Sequence, residues 1–191
     1  MRRLVALGLV LGVLTGCSGL PESGDKGYTS GEGIVTQVAV DERADPVDLV
    51  AEDLEGNEVD LADYRGQPLV IVVWWSGCVE CRVEQPEVNR AVEELEGTAK
   101  VIGLDIREPS VANARAFERE ADIPYPSIDG NDGRALTAFH GKLNPYTVPS
   151  FLVLDSDGRV AASIIGSLPS RLTMVELTEE VAAESAGAAR G

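Results

Sequence analysis

The sequence predicts an α/β fold: a central mixed β-sheet flanked by helices, preceded by an N-terminal β-hairpin. Three stretches carry that expectation. The run Leu69 to Val73, rich in β-branched residues and bounded by Gly66-Gln67-Pro68 and Ser76-Gly77, reads as a buried strand. Behind it, Arg82 to Leu95 places Val88, Val92 and Leu95 at helical spacing, and Lys100 to Ile106 is a second buried strand. That β-α-β order makes a parallel pair with a right-handed crossover. Later, Pro149 to Leu154 and Arg159 to Ile165 flank Asp155-Ser156-Asp157-Gly158, a turn cluster that predicts a hairpin and adds antiparallel strands.

The remaining elements follow in chain order. Met1-Arg2-Arg3 is a basic start, and the apolar run from Leu4 to Leu14 is too short to span a bilayer. It ends at Leu14-Thr15-Gly16-Cys17, which resembles the bacterial lipoprotein signal, so residues 1–16 are expected to be removed and Cys17 to be lipidated. Two acyl chains on Cys17 make a stable membrane anchor. Residues 17–45 are rich in Gly, Ser, Asp and Glu and read as that lipidated cysteine with a flexible tether. Within them, Gly33 to Val40 is a candidate extra edge strand.

The folded domain is expected over residues 46–185. Val47 to Val50 and Asn57 to Leu61 flank Glu55-Gly56-Asn57, which suggests the short hairpin. Pro109 to Ala121 reads as a helix with Val111, Ala114, Phe117 and Ala121 on one face. Ile123 to Asp129 holds two prolines and is expected to lack regular structure. Asp132 to Phe139 is a short helix opened by an Asp cap. Leu172 to Ala183 is a closing amphipathic helix, and residues 186–191 are expected to be a disordered tail.

Composition narrows the function. The formal net charge is −16, with one histidine and no basic cluster, which argues against a nucleic-acid partner. A soluble, monomeric exported domain fits better.

The chemistry sits in Trp74-Trp75-Ser76-Gly77-Cys78-Val79-Glu80-Cys81. A strand delivers two cysteines to the first turn of a helix, where unpaired N–H groups and the dipole favour a thiolate. Cys78 is expected to present an exposed nucleophilic sulfur. Cys81, about one turn later, is expected to face inward and resolve the mixed disulfide. A structural zinc site needs about four ligands, and the chain offers one further cysteine and His140, neither at finger spacing. With Cys17 lipidated, Cys78 and Cys81 remain as one pair. No metal and no cofactor beyond that redox-active pair is expected. His140 reads as a surface or capping residue.

From about Val47 to Glu184 the chain resembles thioredoxin-like proteins of the TlpA/ResA type, and more narrowly the actinobacterial lipoproteins of cytochrome c biogenesis. The resemblance rests on Leu61-Ala62-Asp63-Tyr64-Arg65-Gly66-Gln67-Pro68 and on the Cys78–Cys81 pair followed by Arg82, Glu84 and Pro86. Tyr125-Pro126-Ser127-Ile128-Asp129 and Tyr146-Thr147-Val148-Pro149-Ser150 complete it. It implies a cis Val148–Pro149 bond packed against the disulfide, with the Val148 backbone offered to a substrate strand. It implies that Glu84 tunes the pair. It implies the disulfide of an apocytochrome c CxxCH motif as substrate, electrons from a CcdA-type membrane thiol carrier, and a site outside the cytoplasmic membrane.

Three positions depart from the family pattern. Gly77 stands where a Trp usually precedes the first Cys, so Trp74 and Trp75 are expected to be half core and half lid. Glu80 replaces the usual Pro and is expected to disfavour a thiolate at Cys78, making the pair a reductant. Val72 occupies the position that is acidic in thioredoxin itself. Two other readings stay open: a general disulfide oxidase for secreted proteins, and a Cu(I)-binding metallochaperone. A peroxide-reducing enzyme would need a Thr where Trp75 stands.

Overall fold

A computed structural model describes residues 28–29, 33–139, 141, 143 and 146–188. The expected signal, Cys17, residues 18–27 and 30–32 of the tether, and His140 lie outside the described residues. The rest of the expected tether is ordered against the domain, with β-pairing at 28–29 and 33–37 and a buried Arg43 side chain. The strands are β1 (Tyr28–Thr29), β2 (Gly33–Gln37), β3 (Val50–Glu52), β4 (Glu58–Asp60), β5 (Leu69–Trp74), β6 (Lys100–Asp105), β7 (Ser127–Asp129), β8 (Ser150–Leu154) and β9 (Val160–Gly166). The helices are α1 (Val79–Glu94), α2 (Val111–Glu120), α3 (Arg134–Ala138) and α4 (Arg171–Ala188).

Seven strands form one mixed sheet in the order β1-β2-β9-β8-β5-β6-β7, and β3 with β4 makes the expected hairpin, its first strand at Val50–Glu52 rather than Val47–Val50. β5 and β6 run parallel, as do β6 and β7; β8 joins β5 antiparallel. β5 therefore lies inside the sheet, and all six of its residues are buried. Its alternation divides two cores. Val70, Val72 and Trp74 face Val88, Ala91, Leu95, Phe117 and Met174, while Leu69, Ile71 and Val73 face Leu61, Phe139 and Leu152.

Four local expectations need correction. β7 forms despite Pro124 and Pro126, because Pro126 precedes the strand and supplies a carbonyl that accepts the Gly103 N–H at 2.9 Å. Asp132 does not cap α3; Gly133 holds that place at φ 81°, while Asp132 accepts the Arg134 N–H from the side at 2.8 Å. α4 continues to Ala188, so 186–188 are helical, consistent with alanine being the strongest helix former. The candidate edge strand ends at Gln37 and pairs with β9 from Gly33↔Gly166 to Gln37↔Ala162, covering an edge that would otherwise be open.

Candidate active site

α1 begins at Val79, and Cys78 is its N-cap, with extended backbone at φ −78° and ψ 110°. This geometry follows from the chain: a buried β-branched strand ends at Trp74, and the Cys78 N–H donates to the Trp75 carbonyl at 3.1 Å, turning the backbone into the helix. Cys78 and Cys81 are joined in a disulfide, with their Cα atoms 5.2 Å apart. The Cys81 N–H donates to the Cys78 sulfur at 3.0 Å. A helix-start amide is therefore aimed at the sulfur that would carry the charge of a thiolate.

The Val148–Pro149 bond is cis. The Val148 carbonyl oxygen lies 3.8 Å from the Cys78 sulfur, so the loop before β8 closes one side of the site. A reduced Cys78 thiol can donate to that oxygen. Pro149 is buried and Val148 half-buried. The Pro149 carbonyl accepts the Gly166 N–H at 3.1 Å, which ties this loop to the end of β9.

Cys78 is not the exposed sulfur expected. Both cysteines are only 4% exposed, because the Cys78 sulfur turns back onto the Cys81 amide and toward the Val148 carbonyl. The residues flanking Cys78 in sequence, Gly77, Val79 and Glu80, are exposed, as are Val83 on α1 and Tyr146 ahead of the cis proline; Val79, Val83 and Tyr146 are 66%, 73% and 84% exposed. Glu80 sits in the first turn of α1, beside the positive end of the dipole.

The two tryptophans divide their roles. Trp74 is no lid: it is wholly buried, tilted against Phe117 with ring centroids 5.1 Å apart. Gly103 makes room for it, since a Cβ there would stand 2.7 Å from the Trp74 Nε1. Trp75 is half-buried, and its indole fills the space above Gly77. A Cβ at Gly77 would fall 2.3 Å from Trp75 Cζ3, so the indole occupies the place of the missing side chain. Gly77→Ala is expected to push the indole away and to destabilise by about 1–3 kcal/mol. A lowered unfolding midpoint together with a changed tryptophan fluorescence spectrum checks this.

Glu84 lies one turn beyond Cys81, and its carboxylate accepts the Leu168 N–H at 3.1 and 3.2 Å. It therefore connects α1 to the loop after β9. Residues that the sequence reading passes over surround the turn before Cys78. Glu108 accepts the Ser76 N–H at 2.8 Å and the Ser76 hydroxyl at 2.7 Å, and Arg107 lies over the Trp75 ring at 5.2 Å. Asp105, at the end of β6, is fully buried; burial first, then the charges of Glu108 and Asp129, push its carboxyl up to about 8. Burial likewise pushes the Tyr125 hydroxyl up; that hydroxyl accepts a hydrogen bond from Gln85 at 3.0 Å.

Residues 40–163 match the AhpC/TSA family. The chain belongs to that family. Among curated proteins it is 29% identical over 120 residues to a thiol-disulfide oxidoreductase ResA of Bacillus cereus, covering 62% of this chain and 66% of that protein. It is 28% identical over 117 residues to the thiol:disulfide interchange protein DsbE of Pseudomonas aeruginosa, covering 61% of each. The chain thus spans slightly under two thirds of the length of these relatives. Among solved structures, a DsbF homologue from Corynebacterium diphtheriae superposes with a TM-score of 0.70 at 26% identity, over 76% of this chain and 92% of that one. A secreted thiol-disulfide isomerase from Corynebacterium glutamicum shares the fold, with a TM-score of 0.72 at 21% identity over 78% and 92%. The fold is thioredoxin-like, as the resemblance implied.

Proposed function

We propose that the protein is an extracytoplasmic thiol:disulfide oxidoreductase, held to the membrane through Cys17, that reduces the CxxCH disulfide of apocytochrome c. The observation that carries the reading is a disulfide at the N-cap of α1, with one of its sulfurs facing the Val148 carbonyl beside a cis proline. In the reduced protein, the Cys78 thiolate attacks one sulfur of the substrate disulfide, and the other substrate sulfur leaves as a thiolate. Cys81, deprotonated in turn, attacks the Cys78 sulfur of the mixed disulfide. That step releases the second substrate thiolate and forms the Cys78–Cys81 disulfide. Two electrons pass to the substrate, and its two thiolates take up protons from water. A CcdA-type membrane thiol carrier restores the dithiol.

The exposed Val79, next to Cys78 in the chain, suits an apolar residue beside the substrate cysteine. Glu80 in the first turn opposes a thiolate at Cys78, which supports a reductant rather than an oxidant. The test is mixed-disulfide trapping with the full chain carrying Cys81→Ser. Capture of apocytochrome c, abolished by a further Cys78→Ser, is the expected result. Capture of assorted secreted proteins instead would replace the substrate assignment with a general oxidase, and stoichiometric Cu(I) binding without capture would replace the enzyme reading.

A further inference from the structure

Every polar group of Ser76 is held by a charged side chain. Its N–H and hydroxyl both donate to the Glu108 carboxylate at 2.8 and 2.7 Å, and its carbonyl accepts from Arg82 Nε at 3.1 Å. Glu108 reaches Ser76 across 32 residues, from the loop that follows β6. The carboxylate is itself fixed, because Glu108 is only 9% exposed and its N–H donates to Asn131 Oδ1 at 2.6 Å. Asn131 is held in turn by Asp129, whose Oδ1 accepts its Nδ2 at 2.7 Å. The neighbouring Arg107 lies over the Trp75 ring. Two consecutive residues of one loop thus grip two consecutive residues of the turn that carries Cys78.

We infer that Glu108 is the positioning residue of the Cys78–Cys81 pair: by taking both hydrogens of Ser76 it fixes the turn from Trp75 to Cys78 and so sets how firmly the two sulfurs stay bonded. The inference deepens the proposed oxidoreductase reading and rests on it. It concerns a property of the pair alone, however, which is read without any protein substrate. Two effects of Glu108 act in the same direction. A rigid turn keeps the two thiols of the reduced protein poised to rejoin, which favours the disulfide. A buried carboxylate near the turn also disfavours a thiolate, and a less stable thiolate again favours the disulfide. Removing Glu108 weakens both.

The experiment equilibrates the full chain with glutathione, where one protein disulfide and two glutathione thiols give one protein dithiol and one glutathione disulfide. In Glu108→Ala the equilibrium is expected to move toward the dithiol about tenfold, since one charge-assisted hydrogen bond is worth roughly that factor. A tenfold change corresponds to about 30 mV for this two-electron couple. Glu108→Gln keeps the shape and one carbonyl acceptor, so it should fall between Glu108→Ala and the parent chain. It also keeps the question answerable if Glu108→Ala does not fold. A role confined to holding the fold would lower the unfolding midpoint of both variants while leaving the glutathione equilibrium within about twofold of the parent chain; that outcome would overturn the inference. A shifted equilibrium with no trapped protein partner would leave Glu108 in this role and remove the oxidoreductase reading instead.

Discussion

Asp155→Ala is expected to destabilise the protein by about 3 kcal/mol or more while leaving the disulfide site in place. Asp155 is 3% exposed and follows β8, at the end of that strand away from Pro149. Its Oδ2 accepts from Arg43 Nη1 at 3.0 Å and from Arg159 Nε at 2.9 Å. Its Oδ1 accepts the Asp157 and Arg159 N–H groups at 3.0 and 2.9 Å, closing the turn between β8 and β9. The side chain of Arg43 is itself only 3% exposed, so losing Asp155 leaves a buried cation with Glu184 as its remaining carboxylate, at 2.5 Å. Desolvation of that cation is what makes the single substitution costly. Urea unfolding of Asp155→Ala, Arg43→Ala and the double variant checks the expectation. The double variant should lose clearly less than the sum of the two singles, since the groups contact one another. Additive losses would show that the pair contributes nothing as a pair.

Arg43 also marks where sequence reading stops. The central strand and the cysteine pair are legible because each is written in a few consecutive residues, Leu69–Val73 by hydrophobicity and Cys78 and Cys81 by spacing; the cis Val148–Pro149 bond is implied only by the family resemblance around it. β2 is weaker on the page, since its identity as a strand depends on β9 offering an open edge rather than on its own composition. β7 is hidden by its prolines, which speak against a strand locally but stand just before it. The grip of Glu108 on Ser76 is invisible for a further reason. A carboxylate after a strand is ordinarily solvated, and only the folded chain shows that the loop after β6 folds over the turn after β5. Burial of Cys78 escapes the sequence on similar grounds: helix position predicts where a sulfur sits, and the loop that closes on it comes from 70 residues away.

Asp105→Asn should remove most of a pH dependence that the parent chain shows between about pH 5 and pH 8. Asp105 is fully buried beside the negative charges of Glu108, Asp129 and Glu118, and its carboxyl is pushed up to about 8. In the unfolded chain an aspartate titrates near 3.9. Between those values the folded protein keeps a proton that the unfolded chain has released, so stability falls as pH rises, by up to about 1.4 kcal/mol per pH unit. The contribution is fully present below about pH 4 and is gone once the pH has passed about 8. Burial raises the Glu118 carboxyl in the same direction, so it adds to that fall. Two other carboxyls are shifted the opposite way. At Asp53 the opposing effect of burial is outweighed by hydrogen bonds from Asn57, Glu55 and Gly56, and at Asp132 the Arg134 N–H holds the carboxyl below the usual range. Those two lose stability only in acid, below this window. Asparagine has the shape of the protonated aspartate and cannot ionise, so the variant should be the more stable protein at pH 8 and should lose the advantage toward pH 5. Urea midpoints of the two proteins at pH 5, 6, 7 and 8 measure this directly. Parallel curves across that range would mean that Asp105 titrates alike in the folded and unfolded chain, and that its charge is accommodated at the end of β6 after all.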